Sequence, residues 1–166
     1  AHEHFSVKPD IISFGKKTQV CGLLAGDRID EVEKNVFVES SRINSTFGGN
    51  LIDMVRFKII LEIIEQESLI ENAKTLGDYL LGRLNTLSED FPGFVLNPRG
   101  VGLFCAFDLP SATERDKVCS ESMKEKLLIL SSGDQSVRFR PHLNVSKDEI
   151  DLAFDTLYKV ILRILN

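Results

Sequence analysis

The chain has 166 residues, enough for one domain of ordinary size, with 43% hydrophobic residues to fill a core and 27% charged residues to solvate a surface. Its net charge of -5, with 20 basic residues dispersed along the whole length, leaves no electrostatic footprint for nucleic acid, and no apolar run approaches the ~18 residues of a membrane span. Three cysteines, Cys21, Cys105 and Cys119, form neither an even set nor a CxxC pair, which points to a reducing, cytoplasmic compartment rather than a disulfide framework. The opening AHEHFSVKPD has no basic and then apolar pattern of a signal peptide, and it leads directly into a strand as though cut from mid-domain.

In chain order, Ile11 to Phe14 reads as a short buried strand ending in a Gly-Lys turn, and Val20 to Ala25 as a second apolar stretch between glycines. The charged run Asp27 to Lys34 is a short helix or loop on a solvated face, followed by strand-like Val36 to Val38. SSRINSTFGGN, residues 40–50, is a polar, glycine-rich loop. From Leu51 to Ala73 the recurrence of Leu51, Val55, Ile59 and Ile63 at i, i+4 predicts a helix apolar on most sides. Leu76 to Leu87 continues it, with at most a break near Gly77. Val101 to Leu109 reads as one strand, Ala112 to Lys126 as a helix, and Leu127 to Leu130 and Ser136 to Arg140 as short strands around a Ser-Ser-Gly-Asp turn. Ser146 and Glu149 have the spacing of a capping box, which opens a final amphipathic helix. The fold class is α/β, in three parts: residues 1–50, a connecting helical segment 51–87, and a small C-terminal domain 88–166.

Three constellations could carry chemistry. The first is Asp10 to Thr18, in which Gly15-Lys16 invites comparison with a phosphate-binding P-loop. That match fails, because Asp10 replaces the first glycine and Lys17 stands where a Ser or Thr is needed. A lysine after a buried strand and a glycine suits covalent chemistry on an aldehyde, for which its amine must be partly desolvated; a surface Lys16-Lys17 pair is the plain alternative. The second is Asn44 to Asn50, whose hydroxyls and glycines precede a helix N-terminus and could cradle a phosphate or merely cap the helix. The third is Val137 to Pro141, where period-two spacing sets Arg138 and Arg140 on one strand face, either to grip a carboxylate or to be solvated on an edge strand ended by proline. His2, His4 and His142 lack metal-ligand spacing, so no metal site is expected, and Cys21 reads as a small packed residue.

The order of these segments carries a resemblance. Asp10-Ile-Ile-Ser-Phe-Gly-Lys16, followed by Val20-Cys21-Gly22, resembles the cofactor-lysine signature of the class-III pyridoxal-phosphate (PLP) aminotransferases, with Lys16 in register and Lys17 one position late. FGKKTQVCG, RINSTFGGN and VRFRP are more similar to the lysine branch of that family than to its ornithine or 4-aminobutyrate branches, and the similarity runs along essentially the whole chain.

The resemblance implies a PLP-dependent transferase fold of type I, here the end of the large domain, a connecting helix and the small C-terminal domain. It implies a homodimer that moves the ε-amino group of L-lysine to 2-oxoglutarate, giving the 6-semialdehyde and glutamate. Lys16 would hold PLP and later serve as base, Thr46, with Ser45 beside it, would reach the phosphate of the neighbouring subunit's cofactor, and Arg138 would bind the substrate α-carboxylate. Arg140 lies off the matching position. The family's phosphate-binding turn, ring-stacking aromatic and ring-nitrogen Asp belong to upstream segments, so this stretch alone is expected to be inactive. Another ω-amine donor, or a non-catalytic interaction module, are the competing readings.

Overall fold

The computed structural model describes residues 2–43, 46 and 48–166. The chain forms two compact units, Ala1–Ile64 and Glu65–Asn166, a division that falls inside the segment read from sequence as a connecting helix.

In the first unit β1 (Ile11–Phe14) pairs antiparallel with β2 (Gly22–Ala25), Ile11 opposite Ala25 and Phe14 opposite Gly22. The Phe14 ring occupies the space above Gly22, where an added Cβ would lie 2.5 Å from it. Phe14 also stacks on Phe57 of α1 (Leu51–Gln66), with centroids 5.8 Å apart, and so anchors the hairpin to that helix. Asp27–Glu31 forms a 3-10 helix tied to the start of β1 by Arg28, which donates to Asp10 at 3.0 Å. The strand expected at Val36 to Val38 is instead a turn. Buried Asn35 explains it: its amide donates to the Ile29 and Val32 carbonyls, and its oxygen accepts from the Phe37 N–H at 2.9 Å, closing the chain on itself. Asn50, not a serine or threonine, caps α1 by accepting from the Ile52 N–H at 3.0 Å. No residue of α1 is buried, although it is apolar on most sides.

The break in the long helical segment comes at Glu67 and Ser68, nine residues before Gly77 in sequence, where Ser68 takes a left-handed conformation at φ 51°. The second unit then runs α2 (Leu69–Asp90), β3 (Leu96–Val101), β4 (Phe104–Asp108), α3 (Ala112–Lys124), β5 (Leu130–Ser132), β6 (Ser136–Phe139) and α4 (Lys147–Leu165). The single strand expected over 101–109 is thus the second half of a hairpin that turns at Gly102 (φ 54°). Pro98 is accommodated because the β3–β4 register slips between Leu96 and Arg99, where a strand tolerates a missing N–H. The antiparallel sheet has the order β3-β4-β6-β5.

One face of that sheet carries Cys105, Phe107, Val137 and Phe139, which join Leu80, Leu84 and Leu87 of α2, Val118 of α3, and Phe154, Leu157 and Ile161 of α4 in one core. Each fully buried aliphatic or aromatic side chain stabilises the unit by about 1.5–3 kcal/mol before ordering costs. The capping box on α4 is complete: Ser146 Oγ accepts from the Glu149 N–H, and the Glu149 carboxylate accepts from the Ser146 N–H at 2.8 Å. The other face of the sheet, bearing Arg99, Ala106, Asp108, Ser136 and Arg138, is not part of this core. Among the described residues no helix is long and apolar enough to cross a membrane.

Candidate active site

The loop joining β1 to β2 carries Lys16 and Lys17 in a 3-10 turn, Lys16–Thr18. Both lysines are exposed, so within these residues the amine of Lys16 is not desolvated as covalent chemistry would want. Lys16 does have φ 61°, a left-handed conformation uncommon outside glycine and often found where function sets the backbone. Thr18 Oγ1 donates to the Val20 carbonyl at 2.7 Å and steadies the far side of the turn. Gly15 is extended, and a Cβ there would meet Cys21 Sγ at 3.0 Å, so the two ends of the loop are in close approach.

Two hollows adjoin this loop. The larger, about 560 Å³, is lined by Ser13, Phe14, Cys21, Gly22, Leu23, Ile43 and the glycine pair Gly48 and Gly49. The smaller, about 120 Å³, is lined by Gln19, Val20, Cys21, Gly48, Gly49, Asn50 and Asp53. The lysine loop and the glycine loop before α1, read from sequence as separate candidates, therefore meet around Cys21. Cys21 is exposed and lines both hollows rather than filling a core position. Lys16 and Thr46 line neither; Thr46 is an exposed turn residue, and Ser45 lies outside the described residues.

In the second unit β6 is an interior strand, between β4 and β5, which removes the alternative of a solvated edge strand ended by Pro141. Arg138 lies opposite Ala106 on one side and Leu130 on the other, on the face turned away from the core. Its Nε is buried without a hydrogen-bond partner among the described residues, an arrangement that costs free energy unless something accepts from it. Arg138 and Arg140 line a 210 Å³ hollow with otherwise mainly apolar walls, among them Leu127, Ile129, Leu130 and Ala153. Arg140 lies just past the end of β6 and is exposed.

Beside Arg138 on the same face is a polar cluster that sequence reading did not single out. Asp108 accepts from Ser136 Oγ at 2.6 Å, from Arg99 Nη2 at 2.9 Å and from Asn97 Nδ2 at 3.0 Å. Desolvation pushes its carboxyl up, but the bonds from Ser136, Arg99 and Asn97 outweigh this and hold it below the usual aspartate value. Only the pairing register places these residues together; the sequence signal is a lone acidic residue at the end of an alternating strand.

Residues 1–161 match the aminotransferase class-III family. The chain is a class-III aminotransferase sequence. It is 54% identical over 92% of its length to the L-lysine-epsilon aminotransferase of Mycobacterium tuberculosis, covering 34% of that protein. It is 46% identical over 95% of its length to the L-lysine-epsilon aminotransferase of Amycolatopsis lactamdurans, covering 35% of that protein. The solved lysine aminotransferase of M. tuberculosis superimposes on 98% of this chain with a TM-score of 0.94 at 50% identity, the match covering 38% of that structure. The chain thus spans about a third of the length of these class-III relatives, and its α/β fold is theirs over that third.

Proposed function

We propose that the protein to which this chain contributes transfers the ε-amino group of L-lysine to 2-oxoglutarate, with PLP as cofactor and a cytoplasmic homodimer as the working unit. The observation that carries the choice of donor is the similarity to relatives named for lysine, at 54% and 46% identity across nearly the whole chain. The free state of all three cysteines agrees with a reducing compartment.

The residues present fit the cofactor in part. An exposed amine on a backbone of unusual conformation, an exposed threonine hydroxyl, and a glycine pair that permits close approach to the chain all lie on two loops that meet. On this reading Lys16 holds the cofactor and Thr46, with Ser45, reaches the phosphate of the cofactor in the partner subunit. The cofactor, when bound, supplies an electron-withdrawing ring that stabilises negative charge at the substrate carbon. Lys16 Nζ, once released, takes the proton from that carbon. The exposure of Lys16 here implies that desolvation comes from parts of the protein beyond this third.

Arg138 is the carboxylate ligand on this reading, supported by its orphaned, buried Nε in a hollow with apolar walls. In 2-oxoglutarate the reacting carbon is bonded directly to the α-carboxylate, whereas in lysine it stands at the opposite end of the side chain. Arg138 therefore acts chiefly on the oxoacid half-reaction. In the full-length protein, Arg138→Ala should raise KM for 2-oxoglutarate by about thirtyfold or more, the equivalent of about 2 kcal/mol or more for a truncated charge pair. An amino-donor screen tests the rest: lysine should be the preferred donor, and preference for ornithine or 4-aminobutyrate would replace the assignment while leaving the family intact.

A further inference from the structure

On the open face of the second sheet, Asp108 is the centre of a clamp across three strands. Arg99 comes from β3, Asp108 from β4 and Ser136 from β6, and Arg99 Nη2 donates both to Asp108 at 2.9 Å and to Ser136 Oγ at 3.0 Å. Arg99 also donates from Nη1 to the Asn97 carbonyl at 2.8 Å, which braces the irregular start of β3. Ser136 is directly opposite Asp108 in the ladder, and Arg138 is the next residue along β6 on that face. Arg99 itself pairs with Ala106, which pairs with Arg138, so both guanidinium-bearing residues start from the same cross-strand row. What separates them is direction: Asp108 draws the Arg99 guanidinium into its own row.

We propose that Asp108 is a positioning residue for Arg138, fixing the strand that carries it through Ser136 and holding the guanidinium of Arg99 away from the carboxylate that Arg138 receives. The inference rests on the reading of Arg138 as the oxoacid ligand. Without Asp108, Ser136 loses its acceptor, β6 loses a tether two ladder positions from Arg138, and the released Arg99 guanidinium can swing back along its row and push that of Arg138 out of place by like-charge repulsion. Small displacements of a guanidinium are costly to binding, because the two parallel hydrogen bonds it makes to a carboxylate are strong only in one planar geometry.

The test uses the full-length, cofactor-loaded protein and measures KM and kcat for 2-oxoglutarate, with binding of the unreactive dicarboxylate glutarate measured by calorimetry. Asp108→Ala should raise KM and weaken glutarate by about tenfold, the loss of roughly one charge-assisted hydrogen bond, while kcat at saturation changes by less than about twofold. Asp108→Asn, which still accepts from Ser136, should recover part of the loss, and Ser136→Ala should show a smaller effect of the same kind. Val118→Ala, a cavity in the core on the opposite face of the sheet from the clamp, is the control: it should lower Tm without moving KM or glutarate affinity. If Asp108→Ala leaves both unchanged while Arg138→Ala weakens both, the positioning role is wrong and the Arg138 reading stands. If Val118→Ala weakens glutarate as much as Asp108→Ala, the effect is general destabilisation and the proposal falls. If Arg138→Ala itself changes nothing, the reading beneath the proposal fails, and the proposal with it.

Discussion

Gly77 on α2 and Gly102 in the β3–β4 turn approach so closely that a Cβ at position 77 would lie 2.3 Å from the Gly102 carbonyl carbon. The obstacle is backbone, so no rotamer change relieves it. Gly77→Ala should therefore move α2 off the hairpin and destabilise the second unit by about 1–3 kcal/mol or more. Gly82, five residues on in the same helix, has nothing within 4 Å of its would-be Cβ, and Gly82→Ala should stabilise by about 0.5–1 kcal/mol through helix propensity. Chemical denaturation followed by circular dichroism checks the pair, and equal effects of the same sign would refute the packing argument.

What was legible in the sequence was local. The Ser146–Glu149 box could be read because both partners sit within one turn, and the α4 stripe because helical periodicity needs no distant information. The turn at Asn35 could not, since it depends on three hydrogen bonds that a neighbouring apolar Val-Phe-Val run disguises as a strand. Gly77 suggests at most a helix break when read locally, whereas its reason is Gly102, far away in sequence. The true break at Ser68 has neither glycine nor proline to announce it. Among the site residues, Arg138 was visible from strand alternation, but its interior position and its neighbour Asp108 follow from a register that no local pattern encodes.

Cys105 lies in the core on β4, and burial pushes its thiol up to about 11, with Asp78 adding to the rise. Thiolate is the reactive form, so Cys105 should resist alkylation in the folded protein and react on unfolding. The sign of the linked stability is definite. The unfolded thiol ionises near 9 while the folded one stays protonated until about 11, so rising pH favours the unfolded state across that interval. Cys105→Ala should flatten this alkaline loss. Mass-spectrometric mapping of iodoacetamide adducts, with denaturation curves from pH 8 to pH 11, provides the check; rapid native labelling of Cys105 would contradict its burial.

Asp108 titrates in the opposite sense. Desolvation raises its carboxyl, but hydrogen bonds from Ser136, Arg99 and Asn97 bring the net value below the ordinary 3.8. A depressed folded value contributes stability that is fully present above the unfolded value and fades as pH falls through the folded one. The stability difference between the native protein and Asp108→Asn should thus be constant at neutral pH and shrink below about pH 4. A difference that instead grows on acidification would mean that the carboxylate is not stabilised by this clamp.

Lys16 and Lys17 pose the sharpest choice, because both are exposed lysines in one short turn. An extended chain would send neighbouring side chains to opposite faces, but these two lie in a 3-10 turn, where successive residues are about 120° apart. One directed site can still receive only one of them. Two arguments favour Lys16: by resemblance it follows Gly15 in the register of the family's cofactor lysine, and its φ of 61° is a conformation that a side chain adopts at a cost. Lys17 has no such distortion among the positive-φ residues. In the full-length protein, Lys16→Ala should abolish covalent retention of the cofactor and multiple turnover, since on the proposed reading the same amine attaches the cofactor and moves the proton. Lys17→Ala should preserve both, apart from small effects of lost charge. Borohydride reduction followed by peptide mapping separates them: the pyridoxyl group should be found on Lys16. Its recovery on Lys17, or on neither lysine of this loop, would overturn the assignment and with it the proposed roles of Thr46 and Arg138.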